Sequence, residues 1–317
     1  MTTEPAPGLA DIQAAAARIA GFIHRTPVYT STGLDELCRA VVVFKCENLQ
    51  KAGAFKARGA SNAVLSLDET SAARGVATHS SGNHGAALAM AARRRGIPAH
   101  VVMPANAPKV KKEAVAGYGA YIVECEPTLA AREDTLARLV ATTGAHLVHP
   151  YDDMRIIAGQ GTVALELLEQ APGLDVVVVP VGGGGLLAGV ASAVKALDPR
   201  IEVVAAEPAG ADDAFRSLGL GERQPQTDPL TIADGLRTAL GERNFPIIQR
   251  CVDTILTVEE ATIVSAMRLQ WTRLKTLVEP SGAVSFAALL EHPERFRQRR
   301  VGVVISGGNI DLDHLPW

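Results

Sequence analysis

Lys56 stands in KAGAFKARGA, residues 51–60, among Gly53, Ala54, Phe55, Ala57, Gly59 and Ala60. Small neighbours let another body approach the backbone closely. An amine held there away from water loses part of its hold on a proton and can act as nucleophile or base. The competing reading is an amphipathic helix start that exposes Lys51, Lys56 and Arg58, since most lysines lie on the surface. What the rest of the chain brings to Lys56 decides between them.

Three further stretches carry groups that chemistry could use. In VVVVPVGGGGLLAGV, residues 176–190, an apolar strand runs into Gly182, Gly183, Gly184 and Gly185, and a helix follows. Successive glycines free the backbone to form an anion nest, and the helix N-terminus adds partial positive charge, so the loop suits a phosphate. Gly183, Gly185 and Ala188 also fit G-x-G-x-x-G/A, and Glu207 lies about 20 residues further on, where a ribose-binding acid would sit. A dinucleotide-binding protein is therefore a rival reading. In THSSGNHGAALA, residues 78–89, Ser80, Ser81, Gly82, Asn83 and His84 offer hydroxyls, an amide and free helix N–H groups, which suit a carboxylate; helix capping is the plainer alternative. VVISGGN, residues 303–309, places Ser306 and Asn309 where a strand ends. EPAGADD, residues 207–213, is either a solvated acidic loop or a source of hard oxygen ligands for magnesium or calcium.

These stretches must be positioned by a framework, and its pattern is visible. Strand-like runs at 40–47, 75–81, 99–104, 120–125, 145–149, 175–181, 201–208 and 300–305 alternate with helix-like runs at 83–96, 107–119, 128–144, about 159–170 and 185–197. Continuous Val and Ile runs bounded by Gly and Pro suit strands covered on both faces. Strand–helix alternation predicts α/β architecture with largely parallel sheets, whose ligands gather at the carboxyl ends of the strands. The units near 73–148 suit a small domain inserted into a larger one built from 1–72 and 149–317. Residues 218–229, LGLGERQPQTDP, read as the long loop.

Composition narrows the function classes. The 317 residues are 47% hydrophobic and 21% charged, ordinary for a chain with a large core. A formal charge of -3 provides no general basic field, so nucleic acid is not an expected partner. Cys38, Cys46, Cys125 and Cys251 form no C-x-x-C pair, which argues against a zinc cluster or disulfide framework and suits a reducing cytoplasm. No basic n-region with an apolar core opens the sequence, and no membrane-length apolar run occurs.

Taken together the motifs resemble the fold type II pyridoxal-phosphate enzymes, and within them the serine racemase and serine/threonine dehydratase family. KCENLQKAGAFKARGA, SSGNHGAALA, IAGQGTVALE, VGGGGLLAGV, AAEPAGADD, TIADGLRT, LVEPSGA and SGGN occur in this order over residues 45–309. The resemblance implies a tryptophan-synthase-β-like α/β fold of two open, mostly parallel sheets. It implies pyridoxal 5'-phosphate carried by Lys56 as a Schiff base, with Phe55 near the ring and Gly182–Gly185 on the phosphate. Asn83 would bond the ring hydroxyl, and Ser306 would face the pyridine nitrogen. Ser81 would lie opposite Lys56 across the substrate. Ser80, Gly82 and His84 complete the substrate cradle. Glu207, Asp213 and the carbonyl of Ala211 match a divalent-cation site for magnesium, manganese or calcium.

The implied reaction is loss of water and ammonia from a β-hydroxy amino acid, or racemisation if Ser81 reprotonates Cα. Arg132 and Thr238 match positions near the distal end of the substrate. A facing Arg132 would take a second carboxylate, which makes 3-hydroxyaspartate a substrate beside serine and threonine. The plainer reading of Arg132 is an exposed helix residue paired with Glu126 or Asp134. HPYDD, residues 149–153, is closer to the threonine dehydratase pattern. The chain stops soon after SGGNIDL, so isoleucine feedback through a C-terminal regulatory domain is not expected. A homodimer is expected by resemblance alone.

Overall fold

The valine-rich runs form the centre of the molecule because both faces of each are covered. The computed structural model describes residues 5–317 apart from Ser81, Pro108 and the side chains of Val110 and Leu129. Its strands are β1 (Val28–Tyr29), β2 (Val41–Cys46), β3 (Val76–His79), β4 (Ala99–Pro104), β5 (Tyr121–Cys125), β6 (His146–Leu147), β7 (Val176–Pro180), β8 (Glu202–Pro208), β9 (Thr254–Val258) and β10 (Arg300–Ile305). One sheet has the order β1-β2-β10-β7-β8-β9, the other β5-β4-β3-β6. Every pairing is parallel except β1 with β2.

Strand β7 shows why no polar alternation is present. All five of its residues are buried. Val177 and Val179 pack into the core made with the helices Met154–Gln170 and Gly185–Leu197. Val176 and Val178 pack on the other face with the helix Pro280–Glu291. Successive strand residues point to opposite faces, so a doubly covered strand must be apolar throughout. The strands of the smaller sheet run in one stretch from Val76 to Leu147, and those of the larger sheet come from both sides of it in the chain.

Strand 99–104 and the helix ending at Leu197 fall where the sequence predicts. Others differ. The helix expected from about Gly159 begins at Met154, because Asp153 caps it by accepting from the Arg155 N–H at 2.8 Å. Strand β9 is not anticipated; it is a half-buried edge strand whose short run lacks the continuous apolar signal. The first three residues of the expected long loop, 218–220, finish the helix Asp213–Leu220.

Arg58 is not exposed at all. Its guanidinium donates from Nε and Nη2 to Glu47 at 2.7 Å each, and from Nη1 and Nη2 to Glu166 at 2.7 and 2.8 Å. Lys45 joins the cluster at 2.6 Å from Glu166 and also bonds Gln170 and the Thr26 carbonyl. Two buried cations and two carboxylates thus tie β2, the Lys56 helix and the helix Met154–Gln170 together.

Candidate active site

The Lys56 helix, Lys56–Leu65, starts from a constrained turn. Ala52 and Gly53 both have positive φ, and a Cβ on Gly53 would lie 2.1 Å from Asn309 Oδ1, so only glycine fits. The chain then runs beside the end of β10: Phe55 N–H donates to the Ser306 carbonyl at 3.0 Å, and Ala54 bridges to Gly307. This places Lys56 at the carboxyl edge of the larger sheet. Its Nζ donates to the Pro150 carbonyl at 2.8 Å and lies 5.0 Å from the Phe55 ring centroid. Burial alone lowers its pKa from 10.5 to about 8, with no carboxylate to restore it. The amine is therefore within reach of its neutral form near physiological pH.

The glycine loop follows β7 at the same edge. A Cβ on Gly182 would meet Leu236 Cα at 2.8 Å, one on Gly183 the Tyr151 ring at 2.4 Å, and one on Gly185 the Tyr151 carbonyl at 2.7 Å. Gly184 has φ +88° and starts the helix Gly185–Leu197. The Gly183 carbonyl is held by Asn244 Nδ2 at 2.6 Å and by Gly241 N–H at 3.1 Å. Among the described residues, no protein group takes the N–H groups of Gly182 to Gly185. A rigid loop with four free donors at a helix start fits a phosphate group.

The third edge is the end of β3. Ser80 Oγ accepts from the Gly82 N–H at 3.3 Å, and Asn83 opens the helix Asn83–Arg95. Ser81 lies outside the described residues. His84 is buried; its ring nitrogens make no well-formed hydrogen bond, and burial drives its pKa well below the usual value despite weak support from the Val148 carbonyl. His149 is pushed down to about 4 by burial, and its Nδ1 accepts the Asp152 N–H at 2.9 Å. The rings next to Lys56 are therefore uncharged at neutral pH.

Arg132 Nε donates to the Thr128 carbonyl of its own helix at 3.3 Å rather than to Glu126 or Asp134. Its charge reaches His79, whose ring meets His149 edge-on at 6.1 Å, and His149 in turn feels Lys56. Thr238 is exposed, two residues beyond the Leu236 that packs on Gly182.

Ser306 is buried, with Oγ 3.4 Å from the Ser281 carbonyl. Beside it lies Glu279, a buried carboxyl raised to about 8 by burial first and by Asp234 second. Asn83 Nδ2 donates to Glu279 Oε1 at 2.8 Å, and Asn309 Nδ2 donates to Asn83 Oδ1 at 2.9 Å.

Glu207 ends β8. It accepts from the N–H groups of Ala214 and Phe215 at 3.1 and 2.8 Å, which caps the helix Asp213–Leu220. Each oxygen takes one main-chain N–H and keeps a lone pair for a further contact, so this cap does not by itself exclude a ribose. Asp213 accepts from Gln226 Nε2 at 2.9 Å and the Leu240 N–H at 2.8 Å. Burial raises Glu207 well above its usual range and Asp213 to about 6; the Asp213 charge adds to the rise at Glu207, and the Asp212 charge to the rise at Asp213. Among the described residues no cluster of three His, Cys, Asp or Glu side chains forms a metal site, so a cation here would also need main-chain oxygen or water.

The structure therefore brings Lys56, Phe55, the glycine loop and Ser306 to the strand ends of the larger sheet, with Asn83, from the end of β3, reaching across to Glu279 and Asn309. Tyr151, Asn244, Pro150 and Glu279 belong to the same place and receive no role from the sequence. Glu279 lies in LVEPSGA, where a glutamate before a Pro-Ser helix start was its only signal. The donors and the amine fit a ring aldehyde bearing a phosphate.

Comparison with known proteins agrees with that chemistry. The chain is 51% identical over 311 residues to the beta-hydroxyaspartate dehydratase of Paracoccus denitrificans, covering 98% of this chain and 99% of that one. It is 49% identical over 311 residues to the serine racemase of Dictyostelium discoideum, covering 97% and 96%. The solved structure of maize serine racemase superposes with a TM-score of 0.96 at 47% identity, covering 98% of this chain and 95% of that one. The model of the family described as pyridoxal-phosphate dependent enzyme matches residues 19–307, so the dinucleotide reading of Glu207 falls, and this chain belongs to that family.

Proposed function

We propose that this enzyme is an ammonia-lyase that dehydrates a β-hydroxy amino acid and, on hydrolysis of the resulting imine, releases ammonia, with 3-hydroxyaspartate its preferred substrate and serine and threonine poorer ones. The observation that carries the reading is the buried Lys56 amine, 2.8 Å from the Pro150 carbonyl, next to the Phe55 N–H that bonds Ser306 and with no acidic partner. Bound pyridoxal phosphate supplies the electron sink that makes the substrate Cα–H acidic. In this reading Lys56 anchors the cofactor and then takes the Cα proton. Phe55 walls the ring, Gly182–Gly185 hold the phosphate, Asn83 donates to the ring oxygen, and Ser306 meets the ring nitrogen with a neutral hydroxyl. Ser80, Ser81, Gly82 and the N–H groups at Asn83 and His84 hold the α-carboxylate. The β-hydroxyl departs with a proton as water, and hydrolysis yields a 2-oxo acid and ammonia. Arg132 takes the distal carboxylate, supported by its reach to His79, and Thr238 lines the same end.

The test measures 2-oxo acid and ammonia from serine, threonine and each 3-hydroxyaspartate stereoisomer. 3-Hydroxyaspartate should have the highest kcat/KM. Arg132→Leu should lower that value about 10- to 100-fold, the loss of a charge-assisted pair, and leave the serine value unchanged. Release of no 2-oxo acid from any of them sinks the lyase reading; an equal fall for serine removes Arg132 from the distal contact. The serine racemases among the relatives favour racemisation as a second activity, with Ser81 as the opposite-face acid. A Ser81→Ala variant that racemises serine at full rate would refute that role.

The proposal includes a divalent cation held by Glu207, Asp213 and the Ala211 carbonyl. Its support is the pair of buried carboxylates, Glu207 and Asp213, set close enough that the charge of Asp213 raises the proton affinity of Glu207. Chelation should lower the thermal midpoint, and magnesium, manganese or calcium should restore it; a midpoint indifferent to both rejects the site. A homodimer in the cytoplasm completes the reading. The four cysteines are free, as in a reducing compartment. Among the described residues no helix is long and apolar enough to cross a membrane.

A further inference from the structure

We propose that Glu279 and Asn309 are positioning residues that lock the amide of Asn83 in one orientation, with its second Nδ2 hydrogen presented to the ring oxygen of the bound cofactor. The inference rests on the reading of Asn83 given above.

An asparagine amide can turn over and exchange its donor and acceptor ends, so its neighbours must choose. The choice here begins at a group that can only accept. The Ala52 carbonyl takes Asn309 Nδ2 at 2.7 Å. That contact makes Asn309 present a donor to Asn83 as well, and Asn83 Oδ1 accepts it at 2.9 Å. Asn83 Nδ2 then faces Glu279 Oε1 at 2.8 Å. Glu279 is itself fixed. Its N–H donates to the Gly307 carbonyl at 3.1 Å, and a Cβ on Gly307 would lie 2.2 Å from Oε1. Whether the carboxyl is ionised or neutral, an oxygen remains to accept from Asn83.

One Nδ2 hydrogen is thereby used and the other is left over. The four segments that meet here are the turn before Lys56, the chain just after β10, the start of the Asn83 helix and the start of the helix Pro280–Glu291. Lys111 and Asp234, whose charges act on Glu279, form an ion pair between the Lys109–Gly117 helix and the short 3-10 helix Asp234–Leu236. A donor aimed at the ring oxygen favours its ionised form, since hydrogen bonding to a charged form stabilises it. The two protonation forms of the bound cofactor absorb at different wavelengths, so the orientation of one amide has a colour.

The experiment records the absorption spectrum of the purified holoenzyme and its variants. Glu279→Leu should lower the ratio of the long-wavelength to the short-wavelength cofactor band about three- to tenfold, the loss of one oriented hydrogen bond. Glu279→Gln keeps an acceptor of the same shape and should restore the ratio. Asn309→Asp is a second route: the exposed side chain can no longer donate, so it should shift the ratio in the same direction without opening the core. In an Asn83→Ala background Glu279→Leu should cause no further change, because Glu279 acts only through Asn83. The proposal is overturned if folded Glu279→Leu and Asn309→Asp proteins keep the wild-type ratio, or if Glu279→Gln is as altered as Glu279→Leu. A wild-type protein that shows no cofactor band overturns the reading of the site, and this inference with it.

Discussion

Lys56→Ala is expected to abolish catalysis and covalent retention of the cofactor together. Loss of the base alone removes about 10²- to 10⁴-fold in rate, and loss of the anchoring amine adds to that. Borohydride reduction of the wild-type holoenzyme followed by peptide mass analysis should find the cofactor on Lys56 and nowhere else. The lowered pKa sets a pH profile that a surface lysine lacks. In the apoprotein, acylation of Lys56 by an amine-selective reagent should rise about tenfold per pH unit up to about 8 and then level off, because only the unprotonated amine reacts. An ordinary lysine would keep rising toward 10.5. A Lys56→Ala protein with substantial lyase activity, or a wild-type profile that climbs unbroken past pH 10, defeats the assignment.

The second large effect concerns stability. Arg58→Leu should destabilise the protein by about 3–5 kcal/mol, because it leaves the buried carboxylate of Glu47 without a cation and Glu166 with Lys45 alone. Arg58→Lys should recover only part of this, since one ammonium cannot make the four contacts that the planar guanidinium makes. Adding Glu47→Gln to Arg58→Leu should regain stability by removing one stranded charge. Denaturant midpoints measured on the apoprotein decide the matter. An Arg58→Leu protein within about 1 kcal/mol of wild type would mean that Glu47 and Glu166 find other compensation. The cluster matters for the site because Arg58 lies on the same helix as Lys56, and the two carboxylates hold that helix against β2 and the helix Met154–Gln170.

Much of the fold was legible because its requirements are local. A strand covered on both faces must be apolar at every position, so β7 and β10 announce themselves as runs. A backbone that packs against Tyr151 and Leu236 while leaving its N–H groups free has to be glycine, so the loop at Gly182–Gly185 is equally plain. Edge strand β9 was hidden because half-burial at an edge leaves only a short mixed pattern. The start of the helix at Met154 was hidden because its cap, Asp153, sits inside HPYDD and looks like loop chemistry.

The sequence by itself determined the α/β framework, the order of the motifs and the kinds of group that meet at the strand ends. It also determined the family, since eight short motifs in order over residues 45–309 are far more specific than any one of them. Tertiary structure alone decided what each polar side chain does. Arg58, read as surface, became the centre of a buried charge cluster. Glu207, read as a ribose ligand in one scheme, became a helix cap. Lys56 met the Pro150 carbonyl 94 residues away, and Asn309 met Asn83 226 residues away. A hydrogen bond depends on the position and direction of both partners, and only folding brings partners so distant in the chain to within 3 Å of each other.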